Sequence, residues 1–167
     1  DILNQQKKLE KTLAGPTDPR ILEMIKPHSY PEGLFFPDTY HYVHGDSDWN
    51  ILQRAHSAMN AVLLEEWGKR ASPLPYESPY EALIMASIIE RETGLPDERE
   101  QISGVFVRRL QQGMLLQTDP TVIYGLGVEF DGNLRREHLS DDNNSYNTYR
   151  RTGLPPTPIA LPGRGAI

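Results

Sequence analysis

Ser78-Pro79-Tyr80-Glu81-Ala82-Leu83-Ile84-Met85-Ala86-Ser87-Ile88-Ile89-Glu90-Arg91-Glu92-Thr93-Gly94 is the stretch around which the rest of the chain must be arranged. It opens as a capping box. Ser78 suits the N-cap, Pro79 the first helical position, and Glu81 follows three residues after the cap. Ala82 to Ile89 carry no charge. At helical spacing their apolar side chains cover nearly every face, which predicts a central helix buried on most sides. Gly94 is placed to stop it.

The helix ends in two glutamates. Glu90 falls on the face of Ala86 and Ser87, small residues that leave room for a ligand. Glu92 falls beside Met85 and Ile88, which predicts packing against protein with Arg99 or Arg108 as partner. Burial, the negative end of the helix dipole and a neighbouring carboxylate all favour a protonated acid, with Arg91 opposing. A protonated carboxyl is what a general acid for a glycosidic oxygen needs. Two structural glutamates paired with Arg91, Arg99 or Arg108 fit the residues as well. The glutamates cannot act as a pair, because two residues along a helix turn the side chain by about 200°.

With 167 residues the chain is long enough for one domain with a real core. The formal charge of −6 argues against nucleic acid as a partner. Without cysteine there is no disulfide, thiolate nucleophile or zinc–thiolate site. No apolar run is long enough to cross a membrane as a helix.

Residues 2–14 read as a weak helix, and Asp18-Pro19 starts a short one to about Ile25. Residues 1–29 are therefore taken as connector helices and 30–167 as the main domain. Pro31 to Tyr42 suits a strand or extended segment, its aromatics either core or a surface for sugar rings. His41, His44, Asp46 and Asp48 match no closed metal site, and no metal or cofactor is expected. A long helix follows Asp46-Ser47-Asp48 to about Trp67, with Leu52, Ala55, Met59, Val62, Leu63 and Glu66 as the stripe for the central helix. Asp97 and Glu100 form a second capping box before a helix with Ile102, Val105, Phe106 and Leu110 inside. Met114 to Gln117 reads as a strand, and Asp119-Pro120 as the start of a brief helix stopped by Gly125 and Gly127. Asp141 to Asn144 reads as solvated loop, and Tyr146 to Gly163 as a long functional loop. The fold class expected is α+β: helix-rich, with a buried central helix and short strands around a groove.

Met85 to Thr93 resembles the signature helix of the endolytic murein transglycosylase family, the MltG or YceG-like proteins. The resemblance continues in order through Val105 to Leu110, Gly113-Met114 and Leu116 to Gly125. It resumes at Tyr146 to Tyr149 and Thr152 to Pro156, and upstream includes Pro31 to Tyr40. It covers roughly residues 30–163.

The resemblance implies a lytic transglycosylase that cuts between N-acetylmuramic acid and N-acetylglucosamine inside peptidoglycan glycan strands. The 6-hydroxyl of muramic acid attacks its own anomeric carbon, leaving a 1,6-anhydro end. An intramolecular nucleophile of this kind has high effective molarity, so one carboxyl suffices as acid and then base. The resemblance gives that role to Glu90. It places Gln117, Thr118, Asp119, Tyr124, Tyr146, Asn147 and Tyr149 along a glycan groove, with Gln117 and Asn147 suited to sugar hydroxyl and acetamide groups. It implies a fragment cut at both ends, whose full-length form carries an N-terminal membrane anchor. It also implies a site of action on the periplasmic face of the bacterial inner membrane, and cell-wall synthases as partners. The competing reading is a noncatalytic peptidoglycan-binding or scaffold module. Aminodeoxychorismate lyase, a pyridoxal-phosphate activity associated with similar sequences, needs a sheltered Schiff-base lysine. Lys7, Lys8, Lys11, Lys26 and Lys69 all stand in polar or helix-end settings, so that reading is rejected.

Overall fold

A computed structural model describes residues 2–167. In order the chain forms α1 (Ile2–Gln5), α2 (Pro19–Met24), α3 (Asp48–Lys69), α4 (Pro79–Glu92) and a 3₁₀ turn (Pro96–Glu98). It continues with α5 (Arg99–Gln111), α6 (Asp119–Leu126), a second 3₁₀ turn (Gly127–Glu129) and α7 (Arg136–Leu139).

Helix α4 is the buried centre. Every residue from Leu83 to Ile89 is buried, each large apolar one contributing roughly 1.5–3 kcal/mol by burial. Leu83 packs with Ile25, Leu34, Met59 and Leu63, which fixes α4 against α3 and the segment around α2. Met85, Ala86, Ile88 and Ile89 pack with Phe106, Leu116, Ile159 and Ala166, which fixes it against α5 and the C-terminal segment. The one polar group inside the run, the Ser87 hydroxyl, donates to the Ile84 carbonyl at 2.6 Å and accepts the Ile159 N–H at 2.9 Å.

The helix ends depart in detail from the sequence expectation. Ser78 Oγ accepts the Glu81 N–H at 3.3 Å, but the Glu81 carboxylate takes the N–H of Glu77, one residue outside the expected box. Gly94 does not form a left-handed stop. Instead α4 closes on Thr93, extended at φ −145°, whose hydroxyl accepts the Leu95 N–H and donates to Glu98. The expected Asp97–Glu100 box is replaced by the 3₁₀ turn, and α5 starts without a side-chain cap.

The expected α+β mixture is corrected to a helix-rich fold. Among the described residues there is no strand, only an isolated parallel bridge between Glu10 and Ser47. The segments with strand-like composition find other partners for their backbone. The Phe36 N–H goes to the Ala55 carbonyl in α3. The Arg109 guanidinium takes the carbonyls of Leu115 and Leu116, both at 3.0 Å. Within the stripes, Ile51 is buried while Leu52 is half-buried, and Val105 is exposed on α5. Helix α6 runs through Gly125, and Gly127 at φ +57° is the stop. Gly125 is needed for another reason: a Cβ there would sit 1.9 Å from Asn144 Oδ1. Asn144 itself, expected in a solvated loop, is buried and donates to the Val122 carbonyl. Asp48 binds the N-terminal segment, accepting the Thr12 N–H and hydroxyl and the Leu13 N–H.

Candidate active site

Glu90 and Glu92 leave the end of α4 in different directions and meet different partners. Glu90 turns toward the C-terminal segment. Its Oε2 accepts the Gly163 N–H at 3.1 Å and its Oε1 lies 3.5 Å from Arg99 Nη2. Gly165 lets that guanidinium pass, since a Cβ there would lie 2.4 Å from Arg99 Nη1. Arg164, two residues before the chain's last alanine, grips Glu65 and Glu66 on α3 and anchors the same segment from the other side. Both oxygens of Glu90 are therefore engaged within the protein.

Glu92 is exposed. It reaches the N-terminus of α6, where Thr118 Oγ1 donates to its Oε1. The packing role expected for Glu92 and the open face expected for Glu90 are thus reversed, and Arg99 pairs with Glu90. Helical spacing sets the two side chains apart but does not show which surface each one meets.

Around Glu92 the structure gathers four of the residues assigned to the groove. Thr118 is the α6 N-cap and Asp119 its first helical residue. Tyr149 donates from its hydroxyl to Asp119 Oδ1 at 2.6 Å. Burial, that hydrogen bond and the charges of Asp119 and Glu92 push the Tyr149 phenol up to about 12, against Arg109. The phenol therefore stays a proton donor across the physiological range. Gln117 sits at φ +56°, the sole non-glycine residue among those described in the left-handed region. Such backbone costs on the order of 1–3 kcal/mol and persists only where neighbours enforce it. Here Arg109 donates to the Gln117 side-chain oxygen at 3.1 Å, and the Gln117 N–H goes to the Thr148 carbonyl. Beneath, the hydroxyls of Thr121 and Thr148 lie 2.9 Å apart and Thr148 Oγ1 accepts the Thr118 N–H, binding the 144–149 loop to α6.

Three assigned residues lie elsewhere. Asn147 is fully buried. Its amide donates to the carbonyls of His138, Leu139 and Asp141 and accepts the Tyr149 N–H, so it shapes the loop and has no group left for a sugar. Tyr124 and Tyr146 meet edge to face, 4.9 Å between centroids. The Tyr146 hydroxyl lies 2.8 Å from Thr157 Oγ1. Burial, Glu32 and Tyr146 push Tyr124 up to about 12. Sequence reasoning missed Arg109 and Thr148 as parts of the Glu92 cluster. The available signal was their place in the blocks that carry the resemblance, Val105 to Leu110 for Arg109 and Tyr146 to Tyr149 for Thr148.

The YceG-like family matches residues 1–167. The chain belongs to the YceG-like family. A Bacillus subtilis (strain 168) protein named endolytic murein transglycosylase is 37% identical over 132 residues, 79% of this chain and 36% of that protein. A protein of the same name from Streptococcus pneumoniae serotype 2 (strain D39) is 30% identical over 139 residues, 81% of this chain and 25% of that protein. The YceG-like chain thus spans little more than a third, or a quarter, of these relatives. A crystal structure of a yceG-like protein from Listeria monocytogenes aligns with a TM-score of 0.65 at 31% identity, over 87% of this chain and 47% of that one.

Proposed function

We propose that this YceG-like domain is a lytic transglycosylase acting on peptidoglycan glycan strands, with Glu92 as the single acid and base and Glu90 as a brace. The observation that carries the assignment is the contrast in partners. Glu92 is exposed beside Thr118, Asp119 and Tyr149, whereas Glu90 holds Gly163 and Arg99. Protonated Glu92 gives its proton to the glycosidic oxygen as the bond to muramic acid C1 breaks. The muramic acid 6-hydroxyl closes on C1, and the Glu92 carboxylate takes the hydroxyl proton, so the carboxyl is regenerated and no water is consumed. Asp119 faces the positive charge that develops at C1, the Gln117 amide suits an acetamide or hydroxyl, and Thr118 orients Glu92. The reading carries with it action inside glycan strands, on the periplasmic face of the inner membrane through an anchor elsewhere in the full-length protein, with cell-wall synthases as partners.

The test is to incubate purified peptidoglycan with the wild-type protein, Glu92→Gln and Glu90→Gln, and to analyse the fragments by mass spectrometry. Anhydro-muramic ends from wild type and Glu90→Gln, but not from Glu92→Gln, are expected. An active Glu92→Gln beside a folded, inactive Glu90→Gln returns the role to Glu90. Reducing muramic ends would mean hydrolysis, with Asp119 the second carboxylate. No cleavage by any of the three leaves the noncatalytic binding module.

A further inference from the structure

A cavity of about 490 Å³ lies between the N-terminal segment, α3 and the loop after α2, sharing no residue with the Glu92 cluster. Leu13, Ile21, Leu52 and Leu161 form apolar walls, and two carboxylates, Asp48 and Glu32, line it. Asp48 is spent. Although burial alone would raise its carboxyl, the donors from Thr12, Leu13 and Trp49 outweigh that and hold it low. Glu32 is different. It is half-buried and enters no ion pair with the described residues, and burial raises its carboxyl above the usual range, offset in part by the Gly33 N–H. The cation near this wall, Arg20, already serves Asp18 and stacks over Trp49.

A desolvated carboxylate without a counter-charge is costly, and a cation brought by a ligand removes that cost. Anionic ligands meet two carboxylates, and a purely apolar ligand leaves Glu32 unpaired. We propose that this cavity binds an aliphatic chain ending in a primary ammonium, its methylenes against Leu13, Ile21, Leu52 and Leu161 and its ammonium against Glu32. The cavity also adjoins Tyr124 and the C-terminal segment. Glu32 acts electrostatically on Tyr124, and Gly33 lies so close to Pro158 that a Cβ would fall 2.4 Å from its side chain. On the transglycosylase reading, from which the identity of the ligand follows, the chain is the side chain of the diamino acid in a peptidoglycan stem peptide. The cavity then makes the domain selective for glycan that carries peptide with a free side-chain amine.

The experiment measures dissociation constants for one muropeptide in two forms, the diamino acid amine free and the same amine acetylated. The proteins are wild type, Glu32→Gln and Leu161→Trp, the last filling the cavity from a partly exposed position. Wild type is expected to bind the free amine at least about tenfold more tightly, the size of a charge-assisted hydrogen bond. The preference is expected to fall to near unity in both variants, with melting temperatures recorded for each. A wild-type ratio near one, no binding of either form, or a preference that survives both variants overturns the proposal. Should Glu32→Gln fail to fold, Leu161→Trp alone decides it. The cleavage assay above, run on the same wild-type preparation, fails or succeeds independently of this ratio.

Discussion

Glu90 and Glu92 have the same chemistry, stand on the same last turn of α4, and meet opposite surroundings. Glu90 ties the helix to residues 163–165 and to Arg99, while Glu92 projects to the surface where Thr118, Asp119 and Tyr149 converge. The difference comes from what the chain brings to each direction. A guanidinium and a peptide N–H arrive at one, hydroxyls and a helix N-terminus at the other. A carboxylate with both oxygens held by protein is fixed in place, whereas Glu92 has one oxygen held by Thr118 and faces solvent.

The strongest way to break this contrast is Glu92→Gln. Loss of an acid–base group is expected to lower the rate of anhydro-product formation by about 10²–10⁴, with the melting temperature nearly unchanged because the amide still accepts from Thr118. Glu90→Gln addresses the other half. Weakening the Arg99 and Gly163 contacts is expected to cost about 1–3 kcal/mol in urea unfolding, with activity falling only as the fold loosens. A fully stable Glu90→Gln would remove the brace. Gly125→Ala tests the packing of α6 on Asn144. A Cβ 1.9 Å from the Asn144 side chain must displace it, and overpacking of this kind costs about 1–3 kcal/mol, readable as a lowered melting temperature.

Two smaller effects sharpen the comparison. Gln117→Gly relieves a left-handed backbone at the Glu92 site and is expected to stabilise the fold by a few tenths of a kcal/mol up to about 1 kcal/mol, while weakening glycan binding in titration. Tyr149 and Tyr124 are both raised to about 12 in the folded chain. A raised phenol contributes stability that is intact below the unfolded value near pH 10 and is lost as pH climbs through the folded one. Urea midpoints are therefore expected to fall between about pH 10 and 12, and less steeply in Tyr149→Phe. A flat profile there would contradict the burial of these phenols.

Much of the scaffold was legible because its signals are local. The uncharged run from Ala82 to Ile89, the Ser78-Pro79 start and the Asp18-Pro19 start each act within a few residues, and the helices form there. What was illegible depends on distant chain. Met114 to Gln117 reads as a strand, but Arg109 satisfies its carbonyls, so no second strand is required. Asn147 reads as a sugar ligand, but three carbonyls of the preceding loop use up its amide. The sequence placed two glutamates at one helix end. Their partners are Thr118 and Gly163, 26 and 73 residues further along.

The segment from Ile159 to Arg164 has a consequence for how the chain folds. It joins α4 at Ser87 across 72 residues and at Glu90 across 73, and α3 at Glu65 across 99. Closing loops of that length costs entropy before any contact repays it, and folding slows as contacts become less local. The α3–α4 pair can assemble early from nearby sequence, but its Ser87 hydroxyl and the Glu90 carboxylate wait for the last residues to arrive. The slow step is then the docking of this segment, and Ser87→Ala should retard refolding less than deleting residues 159–167 in stopped-flow measurements. Until docking occurs, the Ile88–Ile89 face lies open to solvent, and that interval is when the chain is most exposed to self-association.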